Sequence, residues 1–386
     1  MRAEPREINA ALQHGPARPE SARRAEPSHT PLERATLLAV LYADLFDYPL
    51  TRKELRQSLI GERASSAALE SVVESLTGDY LEHTAVDCGE LESEGGFVTW
   101  LGRSEIVETR LRRRRLSADR WRQARRFARW LARVPFVRCI AVCGSLAVEN
   151  GDTEGDIDLF CITAPRRLWI VQLSAMVLRR FAALGGTRVC PNYLVTLDHL
   201  EVYPRNLYLA HEITQVMPLS GGEAYDRFIA ANGWALRVLP NTDLDGRKGR
   251  LERQHIAAST RWCERLLSGR LGEVLDVAIH RTLSAYYTWR LRRHGWTPEM
   301  VRSTYRRERQ EVMAGGYGPV IEHRFCALVE KRLGKSLARS LERDVFPAAS
   351  IGRPTADPLY VDLFDRRYDN APHAGSNRQS EHASDD

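Results

Sequence analysis

The stretch VCGSLAVENGDTEGDIDLFCIT, residues 142–163, places Asp156 and Asp158 in an otherwise apolar run shortly after a Gly144-Ser145 pair. A buried carboxylate is costly unless it is paired or bound to a cation. The strand is therefore either an exposed edge or the seat of something cationic. Residues two apart in a strand project from one face, so Asp156 and Asp158 are expected to point together while Ile157 and Leu159 face the core. Two such carboxylates repel, and one takes up a proton unless a cation bridges them. Magnesium prefers carboxylate and phosphate oxygens and keeps several waters. Upstream, Gly144 permits close backbone approach, and the amides of a short helix from Ser145 can hold a phosphate. Together these form the equipment of metal-assisted phosphoryl transfer.

The rest of the chain frames that reading. A length of 386 residues implies two or three domains, and 43% apolar residues suffice for globular cores. No apolar run reaches the roughly 18 residues of a membrane span. The longest, 169–178, is closed by Arg166-Arg167 and Arg179-Arg180 and reads as a buried helix. The N-terminus lacks the apolar segment of a signal peptide. The seven cysteines form no CxxC pair and read as small core residues in a reducing compartment. A cytoplasmic protein with no membrane partner is expected. The net charge of +6 is carried almost wholly by arginine, with lysine only at 53, 248, 331 and 335, and does not by itself mark a nucleic-acid binder.

Residues 1–30 and those from about 365 to 386 lack hydrophobic periodicity and read as disordered. Between them the sequence predicts three parts. Residues 31–101 hold an apolar helix over 32–46 and a short helix capped by Thr51, with Glu54 at the capping-box spacing. A third helix over 65–76 and two strand-like runs, 80–84 and 97–101, follow. Three helices and a β-hairpin resemble a winged helix. Residues 102–245 hold a long arginine-rich helix and strands at 136–143, 156–163 and 188–196, with helices at 166–184 and 207–216. Residues 246–346 read as helical throughout. The expected fold class is α+β, a short mixed sheet flanked by helices.

The order apolar strand, Gly-Ser, ten residues, then Asp-apolar-Asp-apolar on a second strand resembles the signature of the DNA polymerase β-type nucleotidyltransferase superfamily. The winged helix, the PNYL strand and the helical tail are also similar to an uncharacterised bacterial group within it. The resemblance implies that Gly144 and Ser145 hold a nucleoside triphosphate and that Asp156 and Asp158 bind magnesium. It implies transfer of a nucleoside monophosphate to an acceptor: small molecule, protein or RNA. The superfamily adds a third carboxylate from the next strand. Here that strand is RVCPNYLVT, and its one polar residue of suitable size at mid-strand is Asn192. Asp198 lies about 20 Å further along. An amide oxygen can ligate magnesium but cannot accept a proton near neutral pH. The consequence is a weakly held catalytic metal, a base from the acceptor or another segment, or a degenerate site in a nucleotide-sensing or protein-binding module.

Other constellations carry less. Eleven arginines and one acid, Asp119, lie between Arg110 and Arg133; their helix offers either a solvated face or charge to a polyanion. HEITQ, residues 211–215, echoes the zinc motif HExxH but has Gln for its second histidine, so His211 and Glu212 read as helix-surface or pocket-wall residues. Tyr286, Tyr287, Trp289 and Trp296 read chiefly as core. The third helix of the first part carries Glu70 and Glu74 and no Lys or Arg, whereas duplex binding relies on cationic phosphate contacts. Residues 31–101 are therefore expected not to retard duplex DNA at physiological salt in a gel-shift assay.

Overall fold

A computed structural model describes residues 29–77, 89–151, 155–252, 257–293, 295–311 and 317–344. The two termini read as disordered lie almost wholly outside these residues. Helix α1 (Pro31–Asp44) starts where Thr30 accepts from the Glu33 amide and Glu33 reaches back to the Thr30 amide, with Pro31 opening the first turn. Strand β1 (Leu50–Thr51) leads into α2 (Arg52–Gln57), which Thr51 and Glu54 cap in the same reciprocal way. Helix α3 (Ser66–Thr77) buries Leu69, Val73 and Leu76 against this group. Strands β2 (Leu91–Glu94) and β3 (Phe97–Trp100) complete a three-stranded antiparallel sheet ordered β1-β3-β2.

The expected hairpin partner, 80–84, falls outside the described residues, and the strand that pairs with β3 is LESE, read from the sequence as loop. Gly95-Gly96 supplies the two-residue turn typical of hairpins. Charge at Glu92 and Glu94 hid the strand because one face of it lies in solvent.

The second sheet is mixed. Helix α4 (Ile106–Leu131) delivers the chain to β4 (Val137–Val142), followed by the single turn α5 (Gly144–Ala147) and β5 (Ile157–Thr163). Helix α6 (Leu168–Leu184) crosses over to β6 (Val189–Thr196), parallel to β5. Helix α7 (Leu207–Gln215) precedes β7 (Met217–Ser220), which pairs antiparallel with β4. Short helices α8 (Gly222–Ala231), α9 (Ala235–Val238) and α10 (Leu244–Arg247) follow. Then come α11 (Ala258–Leu267), α12 (Arg270–Arg292) and α13 (Pro298–Thr304). Strand β8 (Arg309–Glu311) precedes α14 (Tyr317–Leu333) and α15 (Lys335–Asp344). The sheet order is β7-β4-β5-β6-β8. The protein is thus α+β, as expected.

Residues 246–346 are not helical throughout, because β8 returns to pair with β6 through Tyr193, Leu194 and Val195. Its sequence, RQE, carries no apolar alternation. Gln310 is nevertheless buried and donates to the Pro191 carbonyl at 3.1 Å.

A buried carboxylate ties the helical tail to this core. Asp276 of α12 is fully buried and accepts from the Trp169 and Ile170 amides at the start of α6, at 2.8 and 3.0 Å. In return Arg167 donates to the carbonyls of Leu267, Ser268 and Gly269 at the end of α11. Each helix end thereby gains partners it cannot find within itself. Among the described residues no helix is long and apolar enough to cross a membrane, and six cysteines are free thiols, Cys88 lying outside them.

Gly221 marks where β4 and the β7–α8 turn meet. Its φ is +75°, and a Cβ there would stand 1.9 Å from the Arg138 carbonyl oxygen. Since only backbone surrounds it, Gly221→Ala is expected to cost more than about 2 kcal/mol, measured as a drop in unfolding free energy by denaturant titration.

Candidate active site

Strand β4 ends at Val142, and the next amide, of Cys143, donates to the Asp158 carbonyl at 3.1 Å and locks the two strand ends together. The chain then turns at Gly144 with φ +64°, and a Cβ there would lie 3.1 Å from Asp158 Oδ2. Glycine is needed for both reasons: the left-handed backbone, and the closeness of the carboxylate. The helix expected from Ser145 is a single turn, Gly144–Ala147, too short for a substantial dipole. The Gly-Ser turn and Asp158 are nevertheless adjacent.

Asp156 sits differently. It precedes β5, is 48% exposed, and pairs with Arg188 at 3.6 Å. Gly144, Ser145, Asp158 and Asn192 share one cavity of about 160 Å³; Asp156 is outside its lining.

Asn192 reaches the cavity because of a bulge. Leu159 pairs with Pro191 and Phe160 with Tyr193, so Asn192 is an extra residue on β6. Proline cannot donate to the ladder, and within sheets it concentrates at edges and bulges. Asn192 is only 7% exposed, and its Oδ1 is buried with no hydrogen-bond partner. A buried amide oxygen left so calls for a donor or cation from outside the chain.

The same cavity takes Glu212 from α7. Burial, and then the Asp158 carboxylate, push its pKa up to about 7. Glu212 thus supplies a further carboxylate from a helix rather than from the strand bearing Asn192. The HExxH-like spacing drew attention to it, but no sequence signal tied it to Asp158. Its neighbour His211 stacks on Tyr42 of α1, with ring centroids 4.1 Å apart and planes at 9°. Burial and then Arg247 lower the His211 pKa to about 3, so this imidazole is neutral. Tyr42 and Ala43 of α1, Phe46 just after it and Ile321 of α14 also line the cavity. The N-terminal helices are therefore part of the cavity.

Among the described residues no group of three or more His, Cys, Asp or Glu side chains has metal-binding spacing. The donors present still suit magnesium: carboxylates at Asp158 and Glu212, and the unpartnered Asn192 amide oxygen, are hard oxygen ligands for an ion that keeps several waters. No family model, curated protein or solved structure matches this chain.

Between pH 4.5, the usual Glu value, and about 7 the folded metal-free protein holds a proton at Glu212 that the unfolded chain has lost. The associated stability is complete below pH 4.5 and is lost as pH rises through about 7. Glu212→Gln is therefore expected to match the wild type in acid and to exceed it above neutrality by up to about 3 kcal/mol. Urea unfolding of both proteins across the pH range measures this.

Proposed function

We propose that the protein is a magnesium-dependent nucleotidyltransferase that moves a nucleoside monophosphate from a nucleoside triphosphate to an acceptor hydroxyl. The observation that carries the proposal is the convergence of Gly144, Ser145, Asp158, Asn192 and Glu212 on one cavity, with the Asn192 oxygen buried and unpartnered. The proposal includes the finer fold reading: a nucleotidyltransferase core in the mixed sheet, and a winged-helix-like unit in front of it.

In this reading the Gly144-Ser145 turn grips the triphosphate. Asp158 and Asn192 would hold magnesium, and Asp156 joins them by exchanging its partner Arg188. The ion would supply the positive charge that offsets charge building on the phosphates. Glu212, close to Asp158 and half-buried, takes the acceptor proton. The acceptor oxygen bonds to the α-phosphorus, the bond to the bridging oxygen breaks, and pyrophosphate leaves. Ala39, Tyr42 and Ala43 of α1 cover part of the cavity with apolar surface and limit water, which would otherwise compete with the acceptor.

The second reading, a nucleotide-sensing module without turnover, draws on the amide at position 192 and on Asp156 lying outside the cavity. One experiment separates the two. Incubation with each α-labelled nucleoside triphosphate, magnesium and cell extract is expected to label an acceptor. Asp158→Asn and Glu212→Gln should each reduce labelling by at least about 100-fold, with far-ultraviolet circular dichroism unchanged. Asn192→Asp should tighten magnesium binding. Triphosphate binding by calorimetry without label transfer under any of these conditions would establish the sensing module instead.

A further inference from the structure

A second cavity, of about 330 Å³, adjoins the first. The two share Tyr48, Leu50, Ser58, Val148, His211 and Gln215 as walls. Its size falls in the range of small-molecule sites. Five cations line it against three acids. Four of the cations have acidic partners: Lys53 with Asp243 at 3.1 Å, Arg110 with Glu54 at 2.8 Å, and Arg114 and Arg250 with Glu149 at 3.4 and 2.8 Å.

The fifth, Arg247 at the end of α10, has none among the described residues. Its Nε is buried with no hydrogen-bond partner, and its Nη1 meets only the Met217 sulfur, at 3.8 Å. The nearby acids are engaged elsewhere. Glu54 also receives the Tyr48 hydroxyl at 2.8 Å, and Asp243 receives the Gly246 amide at 2.8 Å. The apolar lining at Leu50, Phe97, Met217 and Leu239 gives the guanidinium nothing to replace lost water. Arg247 is half-buried, and an Nε that has lost its water without gaining a partner is costly. A second buried atom on the same wall, His211 Nε2, also lacks a partner.

A guanidinium presents a planar fork that matches phosphate and carboxylate oxygens in pairs. A ligand oxyanion would satisfy Arg247, and a neutral His211 could donate to or accept from the same ligand. Helix α7 is the common wall: Thr214 faces this cavity, Glu212 the catalytic one, and His211 and Gln215 both. A ligand anchored at Arg247 therefore lies against the helix that presents Glu212 to the adjoining cavity.

We propose that this cavity is the acceptor pocket, and that the acceptor is a small molecule bearing a phosphate ester or carboxylate held by Arg247. The word acceptor rests on the transferase reading above; the anion site does not.

The test uses the full chain at low ionic strength. Ribose 5-phosphate and succinate are titrated in separate calorimetric runs without magnesium or nucleotide, to separate phosphate from carboxylate recognition. One of the two is expected to bind the wild type. Arg247→Met should weaken that binding by about tenfold or more, and Arg247→Lys by less, because a point charge remains without the fork. Arg247→Met leaves no carboxylate stranded, so without anion it should melt no lower than the wild type. Asp158→Asn should keep anion binding while losing label transfer, so failure of the transferase reading and failure of the pocket give different results. Absence of binding by both probes, or equal affinity in wild type and Arg247→Met, overturns the anion site. Displacement of the bound probe by nucleoside triphosphate, or anion binding with no transfer to any acceptor, overturns the acceptor role.

Discussion

At the end of β4 a carboxylate and a peptide turn compete for the same space, and the absence of a side chain at Gly144 lets both remain. Asp158 presses its Oδ2 against the turn because Gly144 has no Cβ, which would stand only 3.1 Å away. The Cys143 amide bonded to the Asp158 carbonyl keeps β4 and β5 from sliding apart at this point. Everything around the cavity is hung on that junction. The α6 crossover brings β6 in parallel beside β5, and the bulge at Asn192 aims the next polar side chain into the same space. Helix α7 then crosses the open side with Glu212.

How much of this was legible can be argued residue by residue. The Gly-Ser turn and Asp158 were readable because a two-residue alternation and a tight turn are local, and the strands follow from local apolar runs. The capping box of Thr51 and Glu54 was readable for the same reason. The strand start was read one residue early at Asp156: alternation gives a shared face, but not whether a strand has begun, and β5 begins at Ile157. Glu212 was seen without its role, since its meaning depends on a carboxylate 54 residues earlier in the sequence and on packing no periodicity encodes. Strands β2 and β8 were missed because LESE and RQE form through pairing with β3 and β6, not through apolar content of their own.

The two cavities share one helix as a wall. Neighbouring positions on α7 see different surroundings: Glu212 is held near neutrality by burial and an acid, and His211 is kept uncharged by burial and a cation. The two shifts share one main cause, since burial disfavours the charged form of acid and base alike, and the flanking charges of Asp158 and Arg247 add to it.

The N-terminal helices do not behave as a detachable head. Arg110 of α4 is 4% exposed, pairs with Glu54 of α2, donates to the Val148 carbonyl just after α5, and lies 3.9 Å over the Tyr48 ring. Tyr48 in turn donates to Glu54 and to the same carbonyl. A chain cut before residue 102 would therefore lose more than a module. It would strand a buried guanidinium beside the Gly-Ser turn and remove Tyr42 from the face of His211. Recombination of this core with a different leading domain must transplant that polar knot along with it, so the two units are bound to change together rather than be shuffled apart.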